Sequence, residues 1–398
     1  MTDTRFEGLG LILSCAILIA ILSKRLHIPY AIGLMLAGAA LAAISVDLGI
    51  SLSPDLILLV LLPALIFEAA ITLDWRKVKD TFPSIILIAF LAVIVTMAVV
   101  AAGLVWVLNF PFPSAFLFGA LIAATDPVAV LAIIREKDVP DRFRATIQGE
   151  SLINDGLAAT LFLLILGWSQ GESIGAASAS WTLAKSIGGG VVCGIAGALL
   201  ASFLAGRTQD DLVEITITIL AAYGSYLVAH IFGMSGILAA LTAGILLCNV
   251  QPLSGITDQG LSSVTGFWRF ASFAANSIIF LLIGASEAKL IDLSLMGVTI
   301  AAFALMMVGR AVAVYLSGII LSTMGRSVPM SSQHLLVWGG LRGALPLALV
   351  LSIPADQALR GELVTITFGV VAISLVVQSL GLPLLLRLLR INRPFAGT

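Results

Sequence analysis

The chain has 398 residues, of which 60% are hydrophobic and only 11% charged, with a mean hydropathy of +1.12, whereas about a quarter of the residues in soluble globular proteins are charged. A helix that spans the hydrocarbon core takes about 20 apolar residues, so a chain this apolar is an integral membrane protein with no room for a soluble catalytic domain. Its 21 basic and 22 acidic residues nearly cancel, which argues against a nucleic-acid partner.

Apolar runs and the polar breaks between them predict thirteen spans, at 8–23, 28–45, 53–72, 82–108, 114–134, 145–167, 181–205, 211–232, 234–249, 261–284, 290–322, 333–352 and 361–388. The runs are continuous, not alternating, so the fold class is all-α and a β-barrel is excluded. The first run lacks a cleavage-like end and reads as a retained helix, not a signal peptide. Cys15, Cys193 and Cys248, like His27, His230 and His334, stand singly; neither a disulfide framework nor a zinc or haem site is expected. Lys and Arg concentrate in the loops after odd-numbered spans and near the C-terminus, with Arg5, Lys289 and Arg360 on the opposite side. The positive-inside rule then puts the N-terminus outside and the C-terminus in the cytoplasm of a cell (inner) membrane protein, an arrangement that needs an odd span count. Gly190-xxx-Gly194 in the seventh span reads as a helix-packing face.

Six ionisable residues fall deep inside these runs: Glu68 on the third, Asp126 on the fifth, Glu150 and Asp155 on the sixth, Arg310 on the eleventh and Arg342 on the twelfth. Lys185 and Arg269 are read as snorkelling to the interface. A charge at the bilayer centre costs at least about 2.5 kcal/mol, so a mixed-sign set implies pairing or a wet pathway.

The fifth span is interrupted at Thr125-Asp126-Pro127, because Pro127 has no amide hydrogen and crowds the preceding turn. Freed helix ends carry partial charge, and Asp126 is suited to a positive N-terminal end. On the sixth span, Glu150-Ser-Leu-Ile-Asn-Asp155, the rotation of about 100° per residue sets Ser151 with Asp155 on one face and Glu150 with Asn154 on the next. The first face offers hard oxygen ligands for a small cation; the second is read as serving separate work, with Arg310 as the natural partner of Glu150. Burial disfavours the charged form of a carboxylate that has no permanent cation, so Asp155 is a candidate for exchanging a proton for a cation. The twelfth span is interrupted at Trp338-Gly-Gly-Leu-Arg-Gly-Ala-Leu-Pro346, where Arg342 is suited to exposed carbonyls. If spans one to six and eight to thirteen are repeats, both interruptions fall on the fifth member and the repeats are inverted, the architecture of secondary transporters.

These motifs, with Leu62-Pro-Ala-Leu-Ile-Phe-Glu68 and Asn276-Ser-Ile-Ile-Phe, resemble the Na+/H+ antiporters of the NhaP and animal Na+/H+ exchanger branch over nearly the whole chain. The resemblance implies an NhaA/NhaP-like fold with crossed discontinuous helices, a homodimer in the lipid bilayer, and no cofactor beyond the transported Na+ and H+. It implies one transporter unit over 1–390, with a transport bundle (82–167 and 290–388) moving against a dimerisation scaffold (8–72 and 181–284), and a short cytoplasmic tail at 391–398. It assigns Asp155 as the carboxylate that binds Na+ or H+, with Asp126, Ser151, the Thr125 carbonyl and Glu68 as further Na+ ligands. Asn154 holds the Thr125 region and gates access, Glu150 and Arg310 form a structural ion pair, and Arg342 balances the helix ends.

The Asn154-Asp155 pair resembles the electroneutral branch, and one carboxylate exchanging one proton for one Na+, Li+ or K+ moves no net charge. Position 276 is Asn where animal exchangers have an acid, so no proton role carries over there. Two other readings compete: a Na+-coupled symporter of the bile-acid-transporter type, which needs a larger and less acidic site, and an intramembrane aspartyl protease using Asp126 and Asp155, which leaves the second broken helix unexplained.

Overall fold

The computed structural model describes residues 3–26, 30–45, 52–127, 130–131, 134, 141–171, 175–249, 255–290, 293–357 and 359–389. Among these residues all regular structure is helical. The elements in chain order are α1 (Asp3–Leu26), α2 (Tyr30–Ala43), α3 (Leu56–Thr72, opening with a π-turn over Leu56–Leu61), α4 (Trp75–Val78), α5 (Phe82–Leu108), α6 (Phe112–Ala123) and α7 (Asp141–Ser169). They continue as α8 (Ala176–Ala205), α9 (Asp211–Ile231, with a π-turn over Leu220–Gly224), α10 (Gly236–Asn249), α11 (Asp258–Leu290), α12 (Met296–Thr323), α13 (Met330–Trp338), α14 (Ala344–Leu351) and α15 (Arg360–Leu388). Seven of them are long and apolar enough to cross a membrane, and shorter apolar helices fall on other predicted runs.

The helices follow the apolar runs because every main-chain polar group in hydrocarbon has to be satisfied within its own segment. Both expected interruptions are present: α6 ends at Ala123 and residues 124–127 are non-helical, while α13 and α14 are separated by non-helical residues 339–343. Beyond Pro127 the fifth run is described only at residues 130, 131 and 134, which are helical, so its remainder and the predicted tail at 391–398 lie outside the described residues. The break near Gly233 separates α9 from α10.

One group of helices packs α5 against α6, α7 and α12, with α15 on α12 and α14. Another packs α2 and α3 on α11, and α8 and α3 on α10. Close approach depends on small residues. Where α2 crosses α11, a Cβ built on Gly38 would strike the Leu281 carbonyl and one on Gly284 the Met35 carbonyl, so the two backbones touch. Gly190 and Gly194 abut the Ser235 and Ala239 carbonyls at the α8–α10 contact, which makes that small-residue face a packing surface inside the chain.

Lys185 and Arg269 are exposed, as charges do that reach the interface. The deep acids gain a member that the sequence reading left out: Glu214 is fully buried and accepts from the Thr257 amide (3.2 Å) and hydroxyl (3.2 Å). It lies one turn into α9, where sequence alone places it beside the loop; the segment that buries it is 43 residues away along the chain.

Candidate functional site

The site is assembled where the two interruptions meet the middle of α7. Asp126 donates its amide to the Leu341 carbonyl at 2.8 Å, a main-chain bond that joins one broken span to the other. Arg342 is fully buried, and its Nη1 donates to the carbonyls of Ala123 (3.1 Å) and Ala124 (2.9 Å) at the C-terminal end of α6. A cation there meets carbonyls that have no intrahelical partner and the negative end of the helix dipole. The Arg342 amide donates to Ser374 Oγ at 3.0 Å, and its Nε lies 2.9 Å from Met306 Sδ.

The other negative helix end belongs to Arg310. At the end of α13 the Leu335 carbonyl accepts from the Gly339 amide at 2.7 Å, and the Leu336 carbonyl accepts from Arg310 Nε (3.2 Å) and Nη2 (3.1 Å). The same guanidinium donates to both oxygens of Glu150, at 2.6 and 2.9 Å. Glu150 and Arg310 are 1% and 2% exposed, so the pair is dry and bidentate, the strong form of this contact. A Cβ at Gly340 would sit 2.8 Å from Arg310 Nε, and the missing side chain is what lets the guanidinium reach the carbonyl. Sequence reading gave the balancing of helix ends to Arg342 alone; the two arginines divide it, because the pair with Glu150 leaves Arg310 further donors.

The Asp126 carboxylate packs against Gly343, where a Cβ would strike Asp126 Oδ2. Gly343 is the residue just before α14, so an acid lies at the positive end of that half-helix, as the dipole favours.

From α7, Ser151 donates to the Thr125 carbonyl at 2.6 Å and lies 2.8 Å from the Thr125 hydroxyl. Asp155 Oδ1 accepts from the Thr125 amide at 3.2 Å. Asn154 Nδ2 donates to the Thr125 hydroxyl (3.2 Å) and to Glu150 Oε1 (3.3 Å). The two faces of α7 are therefore not separate, since Asn154 ties the Glu150–Arg310 pair to Thr125 itself. Beside them, Asn154 Oδ1 and Arg342 Nη2 are buried and have no hydrogen-bond partner among the described residues, an unused acceptor and donor next to the carboxylates.

A cavity reaches this place, lined by Glu68, Thr125, Asp126, Asp155, Asn276 and Gly343 with apolar side chains around them. Its volume is about 60 Å³, while pockets for drug-sized ligands run about 300–1,000 Å³. A cation with a few waters fits; a bile acid does not. Carboxylate, hydroxyl and carbonyl oxygens are the donor set that a hard cation takes. Every residue named from the sequence for the site lies in this region. Missing from the sequence reading were Ser374 and Gln378 of α15, which meet the second interruption; their only signal is polarity inside an apolar run.

Comparison with known proteins follows the same lines. The family described as "Sodium/hydrogen exchanger, transmembrane" matches residues 11–388. The chain is 38% identical over 389 residues to the low-affinity Na+/H+ antiporter NhaS1 of Synechocystis sp., covering 94% of this chain and 73% of that protein. It is 30% identical over 400 residues to the Na+/H+ antiporter NhaH of Halobacillus dabanensis, covering 96% and 97%. Its fold resembles that of the sodium proton antiporter MjNhaP1 of Methanocaldococcus jannaschii at pH 8, with a TM-score of 0.79 and 21% identity over 98% of this chain and 99% of that one.

Proposed function

Since the chain belongs to the sodium/hydrogen exchanger family, we propose that it exchanges Na+ for H+ across a cell membrane by alternating access, with one Na+ and one H+ competing for Asp155. The observation that carries this reading is the meeting of Asp155 with Thr125, Ser151 and the cavity that Asp126 and Glu68 share. The two buried guanidinium groups beside it are directed at Glu150 and at main-chain carbonyls.

In this reading Na+ is held by Asp155, Asp126, Ser151 and the Thr125 carbonyl, with Glu68 contributing from α3. Binding Na+ requires Asp155 ionised. Protonation removes the charge that holds the cation, and the carrier returns with H+ instead. One carboxylate exchanging one monovalent cation for one proton moves no net charge, so transport is electroneutral. Asn154 holds Thr125 in place, and the Glu150–Arg310 pair fixes α7 to α13. The bundle of α5–α7 and α12–α15 moves against a scaffold that contains α2, α3 and α8–α11, the two packing groups described above supporting that division. The functional unit is a homodimer, with the N-terminus outside and the C-terminus in the cytoplasm.

The test is reconstitution into liposomes with an imposed pH gradient. Addition of Na+ should move protons, Li+ and K+ set the selectivity, and an imposed membrane potential should leave the rate unchanged. Failure of every cation to move protons would overturn the exchange reading, and a strong dependence on potential would overturn the 1:1 stoichiometry.

A further inference from the structure

We propose that Ser374 and Gln378 of α15 are positioning residues for cation binding, acting together as a clamp that holds the second interruption in register with the first; this rests on the exchange reading above. An interruption between α13 and α14 leaves main-chain groups without helical partners, and in hydrocarbon each must be satisfied by the protein. Two side chains of α15 supply what the arginines do not. Gln378 Nε2 donates to the Trp338 carbonyl at 2.9 Å, and the Trp338 indole Nε1 donates back to the Gln378 carbonyl at 2.8 Å. This reciprocal pair fixes the end of α13 on α15. One helical turn earlier, Ser374 donates to Gln378 Oε1 and accepts the Arg342 amide at 3.0 Å. Both side chains are fully buried, so neither bond competes with water.

The bonds run on directly into the site. Arg342 is the residue whose guanidinium holds the Ala123 and Ala124 carbonyls, and its neighbour Leu341 accepts the Asp126 amide. Loss of the Ser374 or Gln378 contact frees the 340–343 segment to shift, and with it the main chain of Thr125 and Asp126. Asp155 lies on α7 and meets the first interruption through the Thr125 amide, which its Oδ1 accepts at 3.2 Å. The clamp therefore governs how well the cation ligands converge, and its effect is read at alkaline pH, where Asp155 is already ionised and proton binding does not enter KM.

The experiment measures exchange in proteoliposomes as a function of Na+ concentration at several pH values, for the wild type and for Ser374→Ala, Ser374→Thr and Trp338→Phe. With Na+ and H+ in competition, KM for Na+ is flat at alkaline pH and rises on the acid side from a pH that reports proton binding. Ser374→Ala should raise the flat alkaline KM about tenfold, the equivalent of about 1.4 kcal/mol. Ser374→Thr keeps the hydroxyl and should return KM to near the wild-type value. Trp338→Phe removes the indole donor and keeps the ring, and should raise KM in the same manner; it serves as the readout if Ser374→Ala does not fold. A purely structural role would lower the maximal rate with the amount of folded protein and leave KM alone. Wild-type KM in the folded Ser374→Ala or Trp338→Phe protein overturns the clamp. Absence of exchange in the wild type overturns the exchange reading, and the clamp with it.

Discussion

The bidentate pair between Glu150 and Arg310 makes a prediction whose magnitude follows from its geometry. Both groups are buried, and the contacts of 2.6 and 2.9 Å put the charge centres about 4 Å apart, where the attraction is roughly 4 kcal/mol at an effective dielectric near 20. Arg310→Met removes that attraction, leaves Glu150 desolvated without its base, and withdraws both donors from the Leu336 carbonyl. Removing one partner of a buried pair costs about 3–5 kcal/mol, whereas replacing both by apolar groups of similar volume is often near neutral. The double variant Glu150→Leu/Arg310→Met should therefore be more stable than Arg310→Met, though still below the wild type because Leu336 and Asn154 lose partners. The assay is a double-mutant cycle on the thermal transition of the protein in detergent, followed by tryptophan fluorescence, with monodispersity checked by gel filtration. A coupling of about 2 kcal/mol or more is expected. Additive effects of the two substitutions, or an Arg310→Met protein as stable as the wild type, would refute the reasoning.

Two other substitutions test close approaches. Gly343→Ala puts a methyl group against the Asp126 carboxylate; proteoliposomes carrying it should lose exchange by about tenfold or more, since overpacking here costs about 1–3 kcal/mol and falls on a carboxylate proposed above as a cation ligand, and wild-type rates would show that Asp126 is dispensable or free to move. Gly284→Ala drives a methyl group into the Met35 carbonyl and should lower the thermal transition by an amount equivalent to about 1–3 kcal/mol, with KM for Na+ unchanged in the protein that folds; an unaltered transition would mean that α2 and α11 separate easily.

The helical architecture and the place of both interruptions were legible because the physics is local. Pro127 breaks its own helix, and Gly339, Gly340, Gly343 and Pro346 crowd into one short stretch. The partnership of Glu150 with Arg310 was legible by elimination, because few other deep charges exist to satisfy either one. The order in which the arginines take the helix ends was not legible, since it depends on which carbonyls lie within reach after folding. Ser374 and Gln378 were passed over for a related reason: a serine and a glutamine in an apolar run declare polarity without a partner, and the groups they bind are 32 and 40 residues away in sequence. Glu214 was missed because its position near a helix start looks solvated until Thr257 folds over it.

Competition of Na+ and H+ for one carboxylate requires that cation binding release a proton, and that release can be measured. Na+ is added to the detergent-solubilised protein in weakly buffered solution over a series of pH values, and the medium's acidification is compared between the wild type and Asp155→Asn. Competition predicts close to one proton released per bound Na+ on the acid side, fading toward alkaline pH as Asp155 ionises beforehand, and no release from Asp155→Asn. Release that persists in Asp155→Asn, or Na+ binding by the wild type with no proton released at any pH, would contradict the account.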